Sequence, residues 1–229
     1  MEQGEKYLLK AEESLSAAAW IRIKAVLKEY DNLKEGADCF ADIEYEWRFL
    51  SEDVQIDLSQ YNPGTYYFAL LNDTISIASN PLPLSLQHPQ LVQVVIREKD
   101  TYLGYLSECL GLPFIIPPKY IGAWGHQADL RIGLDCAALA IYGRRRMGYS
   151  IPYCGPKRIY QYLRSSDQLS PGTILHFGFQ VSILYKDYPP LGRLNPEDLL
   201  IHAYQDKVAI QAIGNTKLWG MTYQMYDWK

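Results

Sequence analysis

The stretch with the clearest capacity for chemistry is residues 133–148, where a cysteine follows an aspartate at the start of a predicted helix. Asp135 is a good N-cap residue, and apolar or small residues recur behind it at helical spacing. This spacing places Cys136 in the first turn, where free backbone amides and the helix dipole favour a negative charge. We therefore expect the Cys136 thiol to ionise more readily than a thiol in mid-helix; the alternative role is a small buried hydrophobe.

The same stretch predicts where the helix ends and which side of it is buried. One apolar face is expected, made of Cys136, Leu139, Ala140, Gly143 and Met147. Three consecutive arginines at 144–146 and a following glycine are typical of a helix C-terminus. The arginines are expected to be a solvated helix end, and a patch for an anionic ligand is the other interpretation.

Composition limits the classes of protein to which this chain can belong. The chain has 229 residues and a net charge of −4, which gives no electrostatic case for nucleic acid. No apolar run approaches the ~20 residues of a membrane span, and the first residues do not resemble a signal peptide. The four cysteines and four histidines are scattered without metal-ligand spacing, so neither a zinc site nor a disulfide framework is expected.

The first half of the chain alternates apolar and polar residues, which is typical of half-buried strands. After a short helix expected over 5–14, strands are predicted at 16–28, 39–49, 54–58, 65–71 and 74–78. We interpret residues 1–85 as a small all-β sandwich or barrel-like module, which ends just after a proline-rich segment.

The second half, residues 86–229, is predicted to be an α+β domain. Helices are expected at 101–110 and 156–163, in addition to the helix that begins at Cys136. Later residues predict a tight hairpin about Gly178 and Phe179, followed by strands at 199–204 and 208–213.

Several short segments of this half occur in the order seen in one known family. They are GLDCAAL at 133–139, GYSIPY at 148–153, PGTILHF at 171–177, VSILY at 181–185 and IHA at 201–203, with Tyr120 and Trp124 upstream. Over about residues 115–212 the chain resembles the NlpC-type cell-wall cysteine peptidases of the papain-like superfamily. The resemblance implies a papain-like fold, in which the helix that begins at the cysteine packs on an antiparallel sheet.

The activity implied by this resemblance is hydrolysis of amide bonds in peptidoglycan stem peptides or another amide substrate. Cys136 would be the nucleophile, an imidazole would move the proton, and backbone amides would stabilise the oxyanion. No metal or organic cofactor is needed for this reaction. Members of the family act in the periplasm or outside the cell, and relatives with the same fold transfer acyl groups.

The match breaks at the position of the base histidine, where this chain has Gln180. Glutamine cannot exchange a proton at neutral pH, so it cannot act as a general base. His176 would replace the base if it faces Gln180 across the hairpin, or His202, the orienting position of the family, would itself pair with Cys136. The third explanation is a catalytically impaired protein that binds peptide or glycan.

Other residues are expected to shape the cleft. Tyr120 and Trp124 are expected to wall it, or alternatively to pack at a domain junction. Gln180 is expected to be a polar cleft residue, and Asp135 to cap the helix that carries the nucleophile.

Overall fold

A computed structural model describes residues 1–3, 8–10, 19–27, 43–51, 55–71, 91–121, 123 and 125–229. Cys39, His88, Trp124 and the predicted strand 74–78 lie outside these residues. The described part of the chain forms two α-helices and fourteen β-strands, most of which belong to two antiparallel sheets. The fold is therefore mixed and rich in sheet, as the alternation of the first half and the helix signals of the second half predict.

The N-terminal part contains six strands: β1 (Leu8–Lys10), β2 (Ala19–Leu27), β3 (Ile43–Ser51), β4 (Gln55–Asp57), β5 (Gly64–Leu71) and β6 (Leu91–Ile96). Four of them form an antiparallel sheet in the order β3-β2-β5-β6, and β1 pairs separately with β4. The predicted strands 16–28, 39–49, 54–58 and 65–71 each overlap one of the observed strands, whereas the helix predicted over 5–14 is wrong because residues 8–10 pair as β1. Strand β6 follows residue 85 but pairs with β5.

This first sheet contacts the second half of the chain through specific hydrogen bonds. The Thr65 hydroxyl donates to the backbone oxygen of Glu108 (2.9 Å), and the Tyr67 hydroxyl donates to that of Arg131 (3.3 Å). Phe68, in the middle of β5, is fully buried in an apolar cluster on this sheet. The sheet therefore holds the segment that leads into the helix carrying Cys136.

The two helices of the second half pack closely on each other. They are α1 (Tyr102–Ser107) and α2 (Cys136–Arg146). A Cβ added at Gly143 would lie 2.6 Å from the Tyr102 ring and 2.7 Å from Leu106, so only glycine permits this approach. Residues 136–143 are all buried, whereas Met147 is 41% exposed. The predicted single apolar face is therefore wrong, because α1 and the sheet cover α2 from different sides and Met147 lies past the last turn.

The remaining strands are β7 (Tyr120–Ile121), β8 (Gly125–His126), β9 (Leu163–Ser165), β10 (Ile174–His176), β11 (Val181–Lys186), β12 (Leu199–Tyr204), β13 (Lys207–Ala212) and β14 (Gln224–Trp228). Six of them form the second sheet in the order β13-β12-β11-β10-β14-β9, and α2 contacts β11 and β12. The hairpin predicted about Gly178 and Phe179 is confirmed as β10 and β11. The helix predicted over 156–163 is instead a 3-10 turn, Ile159–Tyr162, because the chain then joins the sheet by pairing β9 with β14.

Candidate functional site around Cys136

Cys136 is the first residue of α2, as its spacing from Asp135 predicts. The Asp135 carboxylate accepts a hydrogen bond from the backbone N–H of Ala138 (2.7 Å), which is the standard N-cap interaction. Asp135 is only 7% exposed, and this burial raises the pKa of its carboxyl to about 6, although the N–H groups of Ala138 and Ala137 act in the opposite direction. The cap therefore holds a carboxylate that is expensive to ionise.

The Cys136 thiol is in an apolar environment and is 4% exposed. Burial, and to a smaller extent the neighbouring Asp135 charge, raise the pKa of the thiol to about 12. The backbone N–H groups of Val181, Ala137 and Cys136 itself lower the pKa by less. The sequence predicts a lowered pKa at a helix N-terminus, and that prediction is wrong here because the loss of hydration outweighs the helix amides.

His202 lies on β12, one of the strands that α2 contacts, and is 1% exposed. Its Nε2 lies 3.0 Å from the side-chain oxygen of Gln211, so the network assigns the proton to Nε2. Nδ1 is then a buried acceptor, and it has no hydrogen-bond partner among the described residues. Burial lowers the pKa of His202, so the imidazole is neutral at pH 7.

His176 lies on β10 and is 2% exposed, and both of its ring nitrogens are occupied. Nδ1 lies 2.7 Å from the Tyr160 hydroxyl and accepts from the backbone N–H of Gly178 (2.9 Å), while Nε2 lies 2.9 Å from the Pro156 oxygen. The expected pairing of His176 with Gln180 is wrong, because the register places His176 opposite Val181. The two-residue turn of the hairpin leaves Phe177 to pair with Gln180.

Gln180, where the family resemblance predicts the base histidine, is 2% exposed. Its side-chain amide donates one hydrogen bond to the Val181 oxygen (3.1 Å) and one to the Ala203 oxygen (3.1 Å). The first bond stays within the start of β11, and the second reaches β12 beside His202, so the amide group bridges the two strands. Gln180 is a structural link between these strands rather than a group that faces an open cleft.

Cys136, Val181 and Gln180 are thus brought together, whereas the two imidazoles take other partners. Across the described residues, no hydrogen bond joins the Cys136 sulfur to His176 or His202, and neither imidazole contributes to the thiol pKa. The start of α2 lies beside Val181, the neighbour of Gln180, and α2 also contacts β12, the strand that carries His202. The described histidines therefore form no thiolate–imidazolium pair with Cys136.

Tyr120 is the most exposed aromatic ring in this region, at 66%. Its ring lies edge-on to His126 at 4.9 Å, and His126 stacks on Tyr153 at 3.9 Å. His126 belongs to β8, and its contact with Tyr153 joins segments that are far apart in the chain, so no local pattern in the sequence predicts it. The following residue, Cys154, has a thiol whose pKa is raised by burial and by the Asp135 charge.

One further polar residue of the sheet has no individual signal in the sequence. Ser182 is fully buried on β11, and its hydroxyl oxygen has no partner among the described residues. Continuing the register that pairs Ile183 with Ile201 by one residue places Ser182 opposite His202. Two buried polar atoms without partners therefore belong to neighbouring strands beside the Gln180 link.

No group of three or more histidine, cysteine, aspartate or glutamate side chains suitable for a metal ion occurs within the described ranges. None of the described helices has the length and apolar character needed to cross a membrane. Comparison of the chain with protein-family models, with curated proteins and with solved structures finds no match. The functional assignment therefore depends on the geometry and chemistry of the site.

Proposed function

We propose that the second half of the chain is a papain-like scaffold of the NlpC type that binds peptide without using Cys136 as a nucleophile. The observation that carries this proposal is the state of the thiol: 4% exposed, with a pKa raised to about 12. A thiol with this pKa is almost entirely protonated at neutral pH, and the protonated form is a poor nucleophile.

The scaffold part of the proposal is supported by the arrangement of α2 and the second sheet. Cys136 begins a helix that packs on β11 and β12. Strand β11 directly follows Gln180, which aligns with the base of the family motif, and β12 carries His202, which aligns with its orienting residue. The four motif segments after the cysteine also occur in the order that the resemblance implies. The first, 148–153, follows the end of α2, and the other three, 171–177, 181–185 and 201–203, fall on β10, β11 and β12.

The impaired chemistry is supported by the replacement of the base. Gln180 cannot accept a proton, and both of its amide hydrogens are bound to backbone oxygens. His176 holds the Pro156 oxygen, the Gly178 amide and the Tyr160 hydroxyl, so its ring would have to break these bonds to reach a substrate. The hydrogen bonds of Gln180 and His176 stabilise the sheet, and a binding protein needs a stable sheet as much as an enzyme does.

The ligand class follows from the resemblance, which implies peptides of the cell-wall stem type. The exposed ring of Tyr120 supports ligand contact, because an aromatic face that is not covered by protein can pack against a peptide or sugar ring. Tyr120 belongs to the segment that the family motif places beside the cysteine helix.

The second candidate is a cysteine peptidase or amidase of the same superfamily, and one observation favours it. Nδ1 of His202 is a neutral, buried nitrogen with no partner among the described residues, and a free acceptor nitrogen is the chemical requirement for a general base. If substrate binding brought this nitrogen to the Cys136 sulfur, the imidazole could take the thiol proton and return it to the leaving amine.

One experiment separates the two candidates. The protein is incubated with purified muropeptides, binding is measured by calorimetry, and products are identified by mass spectrometry with and without an acceptor amine. We expect saturable binding, no product, and the same affinity for Cys136→Ser. A product that disappears in both Cys136→Ser and His202→Ala would establish the peptidase, and an amine adduct would establish acyl transfer. Absence of binding to every muropeptide would contradict the ligand class.

A further inference from the structure

A cavity of about 440 Å³ lies beside the second half of α2, and we call it the arginine cavity. Its lining includes Asp129, Arg131, Tyr142, Arg145, Arg146 and Ser150. Arg146 is ten residues after Cys136, which is ~15 Å along a helix, so this cavity is separate from the start of α2. It gives a structural context to the arginine run at 144–146, which the proposed function does not use.

Two of the lining guanidinium groups are already neutralised. Arg145 binds both oxygens of Asp129, at 3.2 and 3.0 Å, and Arg146 binds both oxygens of Glu108, at 3.0 and 3.2 Å. Bidentate pairs of this kind satisfy both partners. Residues 144–146 therefore end the helix at least partly exposed, as the sequence predicts, but the guanidinium groups of Arg145 and Arg146 are ion-paired.

Arg131 differs from the other two because no carboxylate in the described structure lies within ion-pair distance of it. Its NH2 donates to the Gln93 side-chain oxygen (2.8 Å), and its NH1 donates to the Tyr142 hydroxyl (3.3 Å). A guanidinium has five N–H donors, so these neutral partners leave most of them unused. Glu108 acts on Arg131 at longer range.

The surrounding carboxylates do not offset this charge. Both oxygens of Glu108 are held by Arg146, and they also bind Arg97 and the Tyr142 hydroxyl. Arg97 pairs with Asp100 in addition. Among the described residues, this network contains three carboxylates, those of Asp100, Glu108 and Asp129. It contains four guanidinium groups, those of Arg97, Arg131, Arg145 and Arg146, so one net positive charge is left. The carbonyl end of α2 contributes only about half a negative charge, so the balance at the cavity stays positive.

We propose that the arginine cavity binds the oxyanion group of a small molecule, a carboxylate or a phosphate, with Arg131 as the main contact. A half-buried guanidinium without a counter-ion is costly, and an incoming oxyanion supplies both the charge and the missing acceptors. Ser150 is exposed at the cavity and adds a neutral hydroxyl donor. The backbone of Arg131 has a φ of 55°, an uncommon conformation for a residue other than glycine, which fixes where this side chain leaves the chain.

The test uses the full chain and two simple probes, sodium phosphate and sodium acetate, at constant ionic strength. Calorimetry is expected to give a saturable Kd of about 1 mM for at least one probe, since a single charge-assisted contact supports affinity of that order. At twenty times this Kd, the probe is expected to raise the Tm by about 4 °C. The probe that binds more tightly identifies phosphate or carboxylate as the preferred group.

Arg131→Gln is expected to weaken binding at least tenfold, whereas the exposed Arg193→Gln is the matched control and leaves the Kd unchanged. If Arg131→Gln does not fold, phenylglyoxal modification of the wild-type protein replaces it, and the probe is expected to protect Arg131 but not Arg193. No saturable heat with either probe, an unchanged Kd in Arg131→Gln, or equal protection of both arginines would overturn the proposal. Cys136→Ser is expected to bind the probes normally, so failure of the peptide site and of this site are distinguishable.

Discussion

The reactivity of Cys136 is the property on which the functional proposal depends, and its magnitude follows from the thiol pKa. With the pKa raised from 9.0 to about 12, the thiolate at pH 7.5 is about 1000-fold rarer than for an unperturbed thiol. A more basic thiolate is intrinsically more nucleophilic, and a Brønsted slope of about 0.45 recovers roughly 20-fold. The net alkylation rate is therefore expected to be about 50-fold below that of a free cysteine, before any restriction of access.

This rate is measured with iodoacetamide at pH 7.5, with quantification of each cysteine-containing peptide by mass spectrometry. Cys154 is less buried than Cys136 and is expected to react first. Cys154→Ser removes that background, and His202→Ala is expected to leave the Cys136 rate unchanged, because no hydrogen bond connects the two residues. Labelling of Cys136 as fast as a free cysteine, and slowed by His202→Ala, would refute the reasoning and favour the peptidase.

The same thiol makes stability depend on pH in a defined direction. The folded pKa of about 12 lies above the ordinary value of 9.0, so the contribution is fully present below pH 9 and is lost as the pH rises towards 12. Relative to Cys136→Ala, the wild type is expected to lose about 2 kcal/mol between pH 8 and 10.5. Urea unfolding of both proteins at pH 8 and pH 10.5 measures this difference, and an equal gap at the two pH values would contradict it.

Three further predictions concern α2 and its contacts. Asp135→Asn keeps the N-cap hydrogen bond but removes the titrating carboxyl, whose pKa is about 6 in the folded protein against an ordinary 3.8. The stability of the wild type is therefore expected to fall by up to about 3 kcal/mol relative to the variant as the pH rises from 4 to 7. Urea unfolding of both proteins across this pH range measures the change, and a constant difference would refute it. Gly143→Ala gains about 1 kcal/mol of helix propensity but clashes with Tyr102, so a net loss of up to about 2 kcal/mol is expected by thermal unfolding, with Gly155→Ala as the unhindered control. Glu108→Gln leaves the Arg146 guanidinium without its carboxylate and is expected to cost about 3 kcal/mol in denaturant unfolding; a neutral effect would show that this ion pair is not stabilising.

Local patterns predicted the elements of the fold where side-chain period and turn chemistry act over a few residues. The alternation over 65–71 and the glycine at 178 predicted β5 and the β10–β11 hairpin, and Asp135 predicted the start of α2. The pattern over 156–163 failed because the pairing of β9 with β14 draws that segment into the sheet. The sequence does not encode this long-range pairing as a local signal.

The electrostatics of the site were outside the reach of the sequence, because they depend on what surrounds each group. Position in a helix predicted a favourable field at Cys136, but the apolar cluster that contains Cys136 determines how much hydration the thiol loses. In the same way, the sequence shows the arginines at 144–146 but not their partners. Only the tertiary contacts give a carboxylate partner to Arg145 and to Arg146, and they give Arg131 none among the described residues.

The sequence by itself predicted that a cysteine would begin a helix and that paired strands would follow, and only the family resemblance predicted a base histidine at the position of Gln180. The tertiary structure alone decided that His176 and His202 take other partners and that the thiol is neutral. The physical reason is that the type of an element depends on neighbours within a few residues, whereas burial and hydrogen-bond partners depend on atoms that the fold brings from distant parts of the chain.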